Sequence, residues 1–266
     1  MTTPFMSTPI PNARMLVIVP TYNEAESLPP ILARIRSAVP FADVLVVDDN
    51  SPDGTGQIAD GLAARDQQVT VLHREVKDGL GRAYLAGFAI ALDRGYDLVA
   101  EIDADGSHDP AELAPMAALA AGADPGADLV IGSRWVPGGS VQNWPWHRRA
   151  ISRTANRYAA LMLRTRIRDI TAGFRVFRAD ALREIHLDDV ASAGYCFQID
   201  LAWRVERAGM RVAEHPIRFT ERTEGRSKMT IGIVLESLWR VTVWGVKPPH
   251  RSALSAGAED RLNRLA

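Results

Sequence analysis

Short apolar runs alternate with segments of helical spacing through the first half of the chain. Residues 15–19 are apolar and β-branched and stop at Pro20, which predicts a first strand. Residues 25–38 place Leu28, Ile31, Leu32 and Ile35 on one helical face, and Pro29 and Pro30 fit the first turn of that helix. The alternation continues with strands expected at 44–47, 69–73, 98–102 and 128–132, and helices at 56–65, 81–94 and 110–121. Fully apolar strands between helices predict an α/β fold, a mostly parallel central sheet with helices on both faces. Sheets of this kind bind ligands beyond the carboxyl ends of their strands. After Gly132 the rhythm changes to helices at 147–163 and 195–208, a short strand near 211–217 and an amphipathic helix at 230–246. The pattern implies a disordered lead-in over 1–14, one domain over 15–246 and a mobile tail over 247–266.

Composition narrows the classes. The 266 residues carry 47% hydrophobic and 24% charged positions, an ordinary globular balance. A formal net charge of −1 supplies no overall field for nucleic acid, so no nucleic-acid partner is expected. The single cysteine, Cys196, lies in an apolar stretch and reads as a small buried residue; such usage suits a reducing, cytoplasmic setting. The apolar stretch at 231–246 contains Glu236 and Arg240 and is shorter than the ~20 residues of a spanning helix, so no transmembrane helix is expected.

The polar residues cluster where the strands end. Pro20-Thr21-Tyr22-Asn23-Glu24 follows the first strand, Asp48-Asp49-Asn50-Ser51-Pro52-Asp53-Gly54 the second, and Asp103-Ala104-Asp105-Gly106-Ser107-His108 the fourth. Acids gathered on one sheet edge repel one another unless a cation is shared. Asp103 and Asp105 can aim at one hard ion, Mg²⁺ or Mn²⁺, with phosphate oxygens completing its shell. Ser107 is a further candidate ligand, His108 reads as an exposed loop residue, and Asp109 reads as a helix cap. A dinucleotide fingerprint after the first strand is absent, because Gly79-Leu80-Gly81 is followed by Tyr84 where a third glycine belongs. No Gly-x-x-x-x-Gly-Lys phosphate loop is present either.

Taken in order, these clusters resemble the family 2 glycosyltransferases. Lys77-Asp78-Gly79-Leu80-Gly81, Gly132-Ser133-Arg134, Asn143-Trp144-Pro145, Thr171-Ala172-Gly173-Phe174-Arg175 and residues 222–229 are similar to the polyprenol- and dolichol-phosphate mannose synthase branch. The resemblance runs from about residue 15 to about residue 245. It implies a GT-A fold, GDP-mannose as donor and a polyprenyl phosphate acceptor. It further implies that Pro20, Tyr22, Glu24, Val47 and Asp49 hold the guanosine part, and that Asp103, Ala104 and Asp105 hold the metal and diphosphate. Ser107 stands where some relatives carry Gln. Arg134, Arg175, Arg222 and Lys228 are the implied cationic clamp, with Asp105, Arg134, Arg222 and Lys228 closest to the chemistry. Arg148 and Ser152 are the implied acceptor-phosphate site.

Seven arginines lie between Arg148 and Arg168, interleaved with Ile151, Ala155, Tyr158 and Met162 at helical spacing. A basic amphipathic helix preceded by Trp144 and Trp146 suits peripheral contact with the cytoplasmic face of a membrane. The helix holding Trp239 and Trp244 is a second candidate for that contact. The sequence leaves open a separate membrane-anchoring protein as partner.

Overall fold

The structure is a computed structural model that describes residues 13–122, 126–190, 196–221 and 231–246. Strand β1 (Met15–Thr21) is central, with β2 (Asp43–Asp48) and then β3 (Val69–His73) on one side. On its other side follow β4 (Leu98–Glu101), β7 (Arg175–Arg178), β5 (Leu129–Ser133) and β8 (Val212–Pro216). Pairing is parallel except at β7, which runs antiparallel to both β4 and β5. A small parallel pair, β6 (Ser140–Gln142) with β9 (Arg218–Thr220), stands apart from the main sheet.

Each strand of the sheet feeds two cores, because alternate side chains point to opposite faces. From β1, Met15, Val17 and Val19 pack with α1 (Leu28–Ala38), α2 (Thr55–Ala63) and α4 (Leu113–Ala121). Leu16 and Ile18 face α3 (Leu80–Asp93) and join a core that includes α5 (Trp146–Leu163), α6 (Ala179–Glu184) and α7 (Cys196–Arg207). Helix α8 (Ile231–Val246) adds Val241 to this second core. Gly87 sets the closeness of α3 to β1, since a Cβ there would stand 2.8 Å from two Ile18 carbons. That approach seats Tyr84 and Phe88 directly on the sheet.

The elements expected from the apolar pattern are present within a few residues of their expected limits. Residues 110–121 divide into a 3₁₀ turn, Pro110–Glu112, followed by α4, and the Asp109 side chain accepts the Ala111 N–H at 3.1 Å as the cap. Cys196 is buried. Strand β7 was not anticipated: its Arg-Val-Phe-Arg sequence offers only two apolar residues between cations. Among the described residues, no helix is long and apolar enough to cross a membrane. The 1–12 part of the lead-in and the 247–266 tail lie outside the described residues.

Candidate active site

Strand order reverses between β1 and β4, where a sheet of this type opens a crevice. A cavity of about 570 Å³ lies there, walled by the ends of β1, β2 and β4, by α5 and by α8. Register brings the acid clusters together, since Thr21 pairs with Asp48 and Ile18 with Glu101.

The acids after β2 divide their work. Asp48 is buried and accepts from the Thr21 hydroxyl at 3.0 Å, the Ser51 hydroxyl at 2.6 Å and the Ser51 N–H at 3.1 Å. Asp53 accepts from the Thr55 N–H and hydroxyl and from the Ala25 N–H, bonds that hold its carboxyl below the usual range although burial opposes them. Both therefore build turns. Asn50, at φ 55°, takes the left-handed conformation between them. Asp49 is left facing the cavity. Burial raises its carboxyl, against the Arg74 guanidinium at 2.5 Å, which also pairs with Asp78. Pro20, Tyr22 and Glu24 line the same end, and the Lys77 ammonium sits 3.5 Å from the Tyr22 ring centroid.

Asp103, Ala104, Asp105, Ser107 and His108 form the middle of the wall. Asp103 accepts from the buried Tyr84 hydroxyl at 3.3 Å; burial, and then this carboxylate, hold that phenol well above its ordinary range. Asp105 accepts the Ser107 N–H at 3.0 Å, which tightens the turn. His108 is not exposed as expected: Phe174 and Phe219 pack its ring at centroid distances of 5.1 and 5.2 Å, leaving 4% accessible. Burial lowers it to about 4, so it is neutral at pH 7, and among the described residues its buried Nδ1 has no hydrogen-bond partner. Carboxylates, a hydroxyl and a neutral imidazole in a turn are a donor set that fits a hard divalent cation. Among the described residues no group of three or more His, Cys, Asp or Glu side chains gathers at metal-binding spacing. Two carboxylates alone leave most of the shell of such an ion to other oxygen donors.

The far end of the cavity is built on α5. Arg148 and Ser152 lie one turn apart on the lining, followed by Ala155 and Ala159. The Arg148 guanidinium sits 4.3 Å from the Trp144 ring centroid and pairs with Glu221. Trp144 is buried, 7% accessible, against Phe219, so it is a support for Arg148 and not the interfacial residue expected from its position before a basic helix. Trp146 is 79% accessible and remains available for that role.

Residues 16–186 match the family described as glycosyl transferase family 2. Over 238 residues the chain is 53% identical to a polyprenol monophosphomannose synthase of Mycolicibacterium smegmatis, covering 89% of each chain. Over 233 residues it is 55% identical to an undecaprenyl-phosphate mannosyltransferase of Micrococcus luteus, covering 88% of this chain and 94% of that one. The chain belongs to glycosyltransferase family 2. Among solved structures, a mannosyltransferase from Pyrobaculum calidifontis in complex with GDP-Man and Mn²⁺ matches with a TM-score of 0.55 at 17% identity. That likeness covers 99% of this chain and 84% of that one, and at such identity it speaks for the fold alone.

In this glycosyltransferase the expected site residues fall into three groups. Pro20, Tyr22, Glu24, Asp49, Asp103, Ala104, Asp105, Ser107, Arg134, Arg148 and Ser152 share one cavity. Arg222 and Lys228 lie outside the described residues. Val47 and Arg175 do not reach the lining. Val47 is wholly buried within β2, because the strand alternation turns it into the core. Arg175 is also wholly buried, donating to the carbonyls of Ala172 at 2.8 Å, Gln198 at 2.7 Å and Ile170 at 2.8 Å. Burial lowers it to about 10. It ties β7 to the loop before it and to α7, so it supports the site from behind and is no part of a clamp on the cavity wall. Arg134 does line the cavity, but its guanidinium is held by the buried Asp169 at 2.8 and 2.6 Å and by Thr171 at 3.0 Å. Asp169, Asn156 and Glu101 carry no motif signal of their own, and only their burial marks them.

Proposed function

We propose that this glycosyltransferase moves mannose from GDP-mannose, with inversion, onto a polyprenyl monophosphate presented at a membrane surface. The observation that carries this reading is the division of one cavity. Carboxylates line the end at β1, β2 and β4, and an arginine with a serine lines the other end, on a helix with an exposed basic face. The names of the two mannosyl-transferring relatives support the transfer and the lipid phosphate. The donor rests on the family resemblance, and the divalent ion on the carboxylates that line the β1, β2 and β4 end of the cavity.

In this reading Pro20, Tyr22, Glu24 and Asp49 hold the nucleoside. Asp103 and Asp105, with Ser107 beside them, hold Mg²⁺ or Mn²⁺, which when bound neutralises charge on the leaving diphosphate. Arg134, its Nε–Nη2 edge held by Asp169, lines the same region, and Arg222 and Lys228 keep the diphosphate role the family resemblance gives them. Arg148 and Ser152 hold the acceptor phosphate. An acceptor oxygen forms a bond to the anomeric carbon as the bond from that carbon to the diphosphate breaks, and GDP leaves with the electron pair. A phosphate monoester is largely dianionic at neutral pH, with its second pKa near ~6, so attack requires no general base. Catalysis then rests on positioning and on charge stabilisation.

Asp105→Asn keeps an acceptor for the Ser107 N–H but removes a charge. It is expected to lower transfer into the lipid phase by roughly a hundredfold or more, and to abolish cation-dependent strengthening of GDP binding in calorimetry. Full activity in this variant would remove the metal assignment. A donor panel with polyprenyl phosphate tests the sugar: product from a uridine sugar and none from GDP-mannose would overturn the donor.

A further inference from the structure

Arg148 already has an anion. Its Nη1 donates to Oε1 of Glu221, and the two side chains are 33% and 32% accessible. Glu221 is no loosely placed surface acid. Its N–H donates to the Gln142 carbonyl at 3.3 Å, and the preceding Thr220 N–H donates to the Ser107 carbonyl at 3.1 Å. The backbone therefore fixes the carboxylate between β6 and the turn that bears Asp105, on the wall of the same cavity. Trp144 beneath the guanidinium holds the plane of Arg148 whichever anion it meets. An incoming phosphate dianion and the Glu221 carboxylate compete for one cation and repel each other.

We propose that Glu221 is the resident counter-anion of the acceptor site: it occupies Arg148 when the site is empty and is exchanged for the acceptor's phosphate. This rests on the assignment of Arg148 to the acceptor phosphate made above. The exchange costs every phosphate the same free energy, so the ratio of affinities between a lipid phosphate and inorganic phosphate does not change. Occupancy does change. A polyprenyl phosphate recovers the cost by burying its first apolar units against Ile151, Ala155, Tyr158, Leu238 and Val241, which line the cavity beside Arg148. Inorganic phosphate has nothing to bury and stays below the concentration at which it fills the site. Glu221 thus sets the affinity of the anion site, holding it low enough that a free anion leaves empty a site that an anchored one can fill.

The test uses the full chain, GDP-mannose, a polyprenyl phosphate in detergent micelles and inorganic phosphate as competitor. Glu221→Gln preserves shape and removes the charge. It is expected to lower both the acceptor KM and the inhibition constant of inorganic phosphate by about fivefold, the reach of a half-exposed ion pair, with the donor KM unchanged. A gain of affinity is an effect that structural damage does not produce. Constants that stay the same or rise in Glu221→Gln overturn the exchange and assign Glu221 the task of orienting Arg148. Arg148→Gln separates the two layers of the argument. If it leaves the acceptor KM and phosphate inhibition untouched, the acceptor assignment itself fails. If it weakens both while Glu221→Gln strengthens neither, only the exchange fails. In the double variant the effect of Glu221→Gln is expected to vanish, and its persistence would sink the proposal.

Discussion

Glu101 lies wholly buried two residues before Asp103, and among the described residues neither of its carboxyl oxygens meets a donor at full hydrogen-bond geometry, the Gln198 amide lying nearby. Burial pushes the carboxyl up to about 8, against the nearby Arg175 charge and the Gln198 amide, with Asp103 adding to the rise. The unfolded chain releases this proton near 4.5, whereas the folded protein keeps it until about 8. Stability from the protonated form is therefore complete below the lower value and is lost as pH rises through the upper one, by on the order of 5 kcal/mol. His108 works in the opposite sense. Its folded value of about 4 lies below the 6.5 of the open chain, so its contribution is present above 6.5 and is lost as pH falls toward 4. In metal-free protein, Glu101→Gln is expected to remove the decline in melting temperature between about pH 5 and pH 8; a wild-type melting curve without that decline would show Glu101 to be ionised in the fold. The cavity positions legible from strand ends were those of Asp49, Asp103 and Asp105, whereas Arg148, on α5, was reached through the family resemblance. Among those misread or missed, His108 and Glu101 owe their state to burial, and Arg175 to carbonyls both near it, Ala172 and Ile170, and distant, Gln198. No local pattern announces that Phe174 and Phe219 enclose a loop histidine.

At the scale of elements, apolar periodicity carried the parallel half of the sheet and failed at β7. A strand whose ends are Arg175 and Arg178 breaks the rule that buried strands are apolar, and it can do so only because three carbonyls satisfy the Arg175 guanidinium. The helices at the Arg148 end of the cavity, α5 and α8, were legible as amphipathic, but their mutual packing was not. Helix α8 meets α5 through Gly245, where a Cβ would stand 2.5 Å from the Met162 carbonyl, and the Tyr158 hydroxyl meets that of Thr242 at 2.5 Å. The same helix brings Leu238 and Val241 to the cavity. Gly245→Val is expected to separate the helices, costing about 1–3 kcal/mol of stability. It should raise the acceptor KM several-fold while calorimetric GDP affinity stays at the wild-type value; an equal loss of both would show that α8 supports the donor end as well.

Across the molecule, near-neutral overall charge conceals an uneven surface. On α5, Arg149, Arg153 and Arg157 are exposed together with Trp146, Ile151 at 57% and Leu161 at 77%. On α8, Trp239 at 65% and Val246 at 68% are exposed, whereas Trp244 turns inward to stack on Trp203 at 5.9 Å. Arginines beside tryptophans suit an anionic lipid surface, and Ile151 and Ser152 lie where such a surface would meet the cavity. Replacing Trp146 and Trp239 together by Ser is expected to lower partition onto vesicles containing anionic lipid by roughly tenfold to a hundredfold. Transfer to a short, water-soluble prenyl phosphate should continue. Undiminished vesicle flotation would move the contact to another face.

The reversed direction of β7 has a consequence for descent. Because β5 runs toward the site and β7 runs away from it, the chain from Arg134 to Phe174 departs from and returns to the same rim, between neighbouring strands. The segment that carries α5 is thus a cassette with both hinges on one doorpost. A change of length within it would leave the register of β1 with β2 and β4 in place, so this wall of the cavity can vary while the frame that bears Asp49, Asp103 and Asp105 stands.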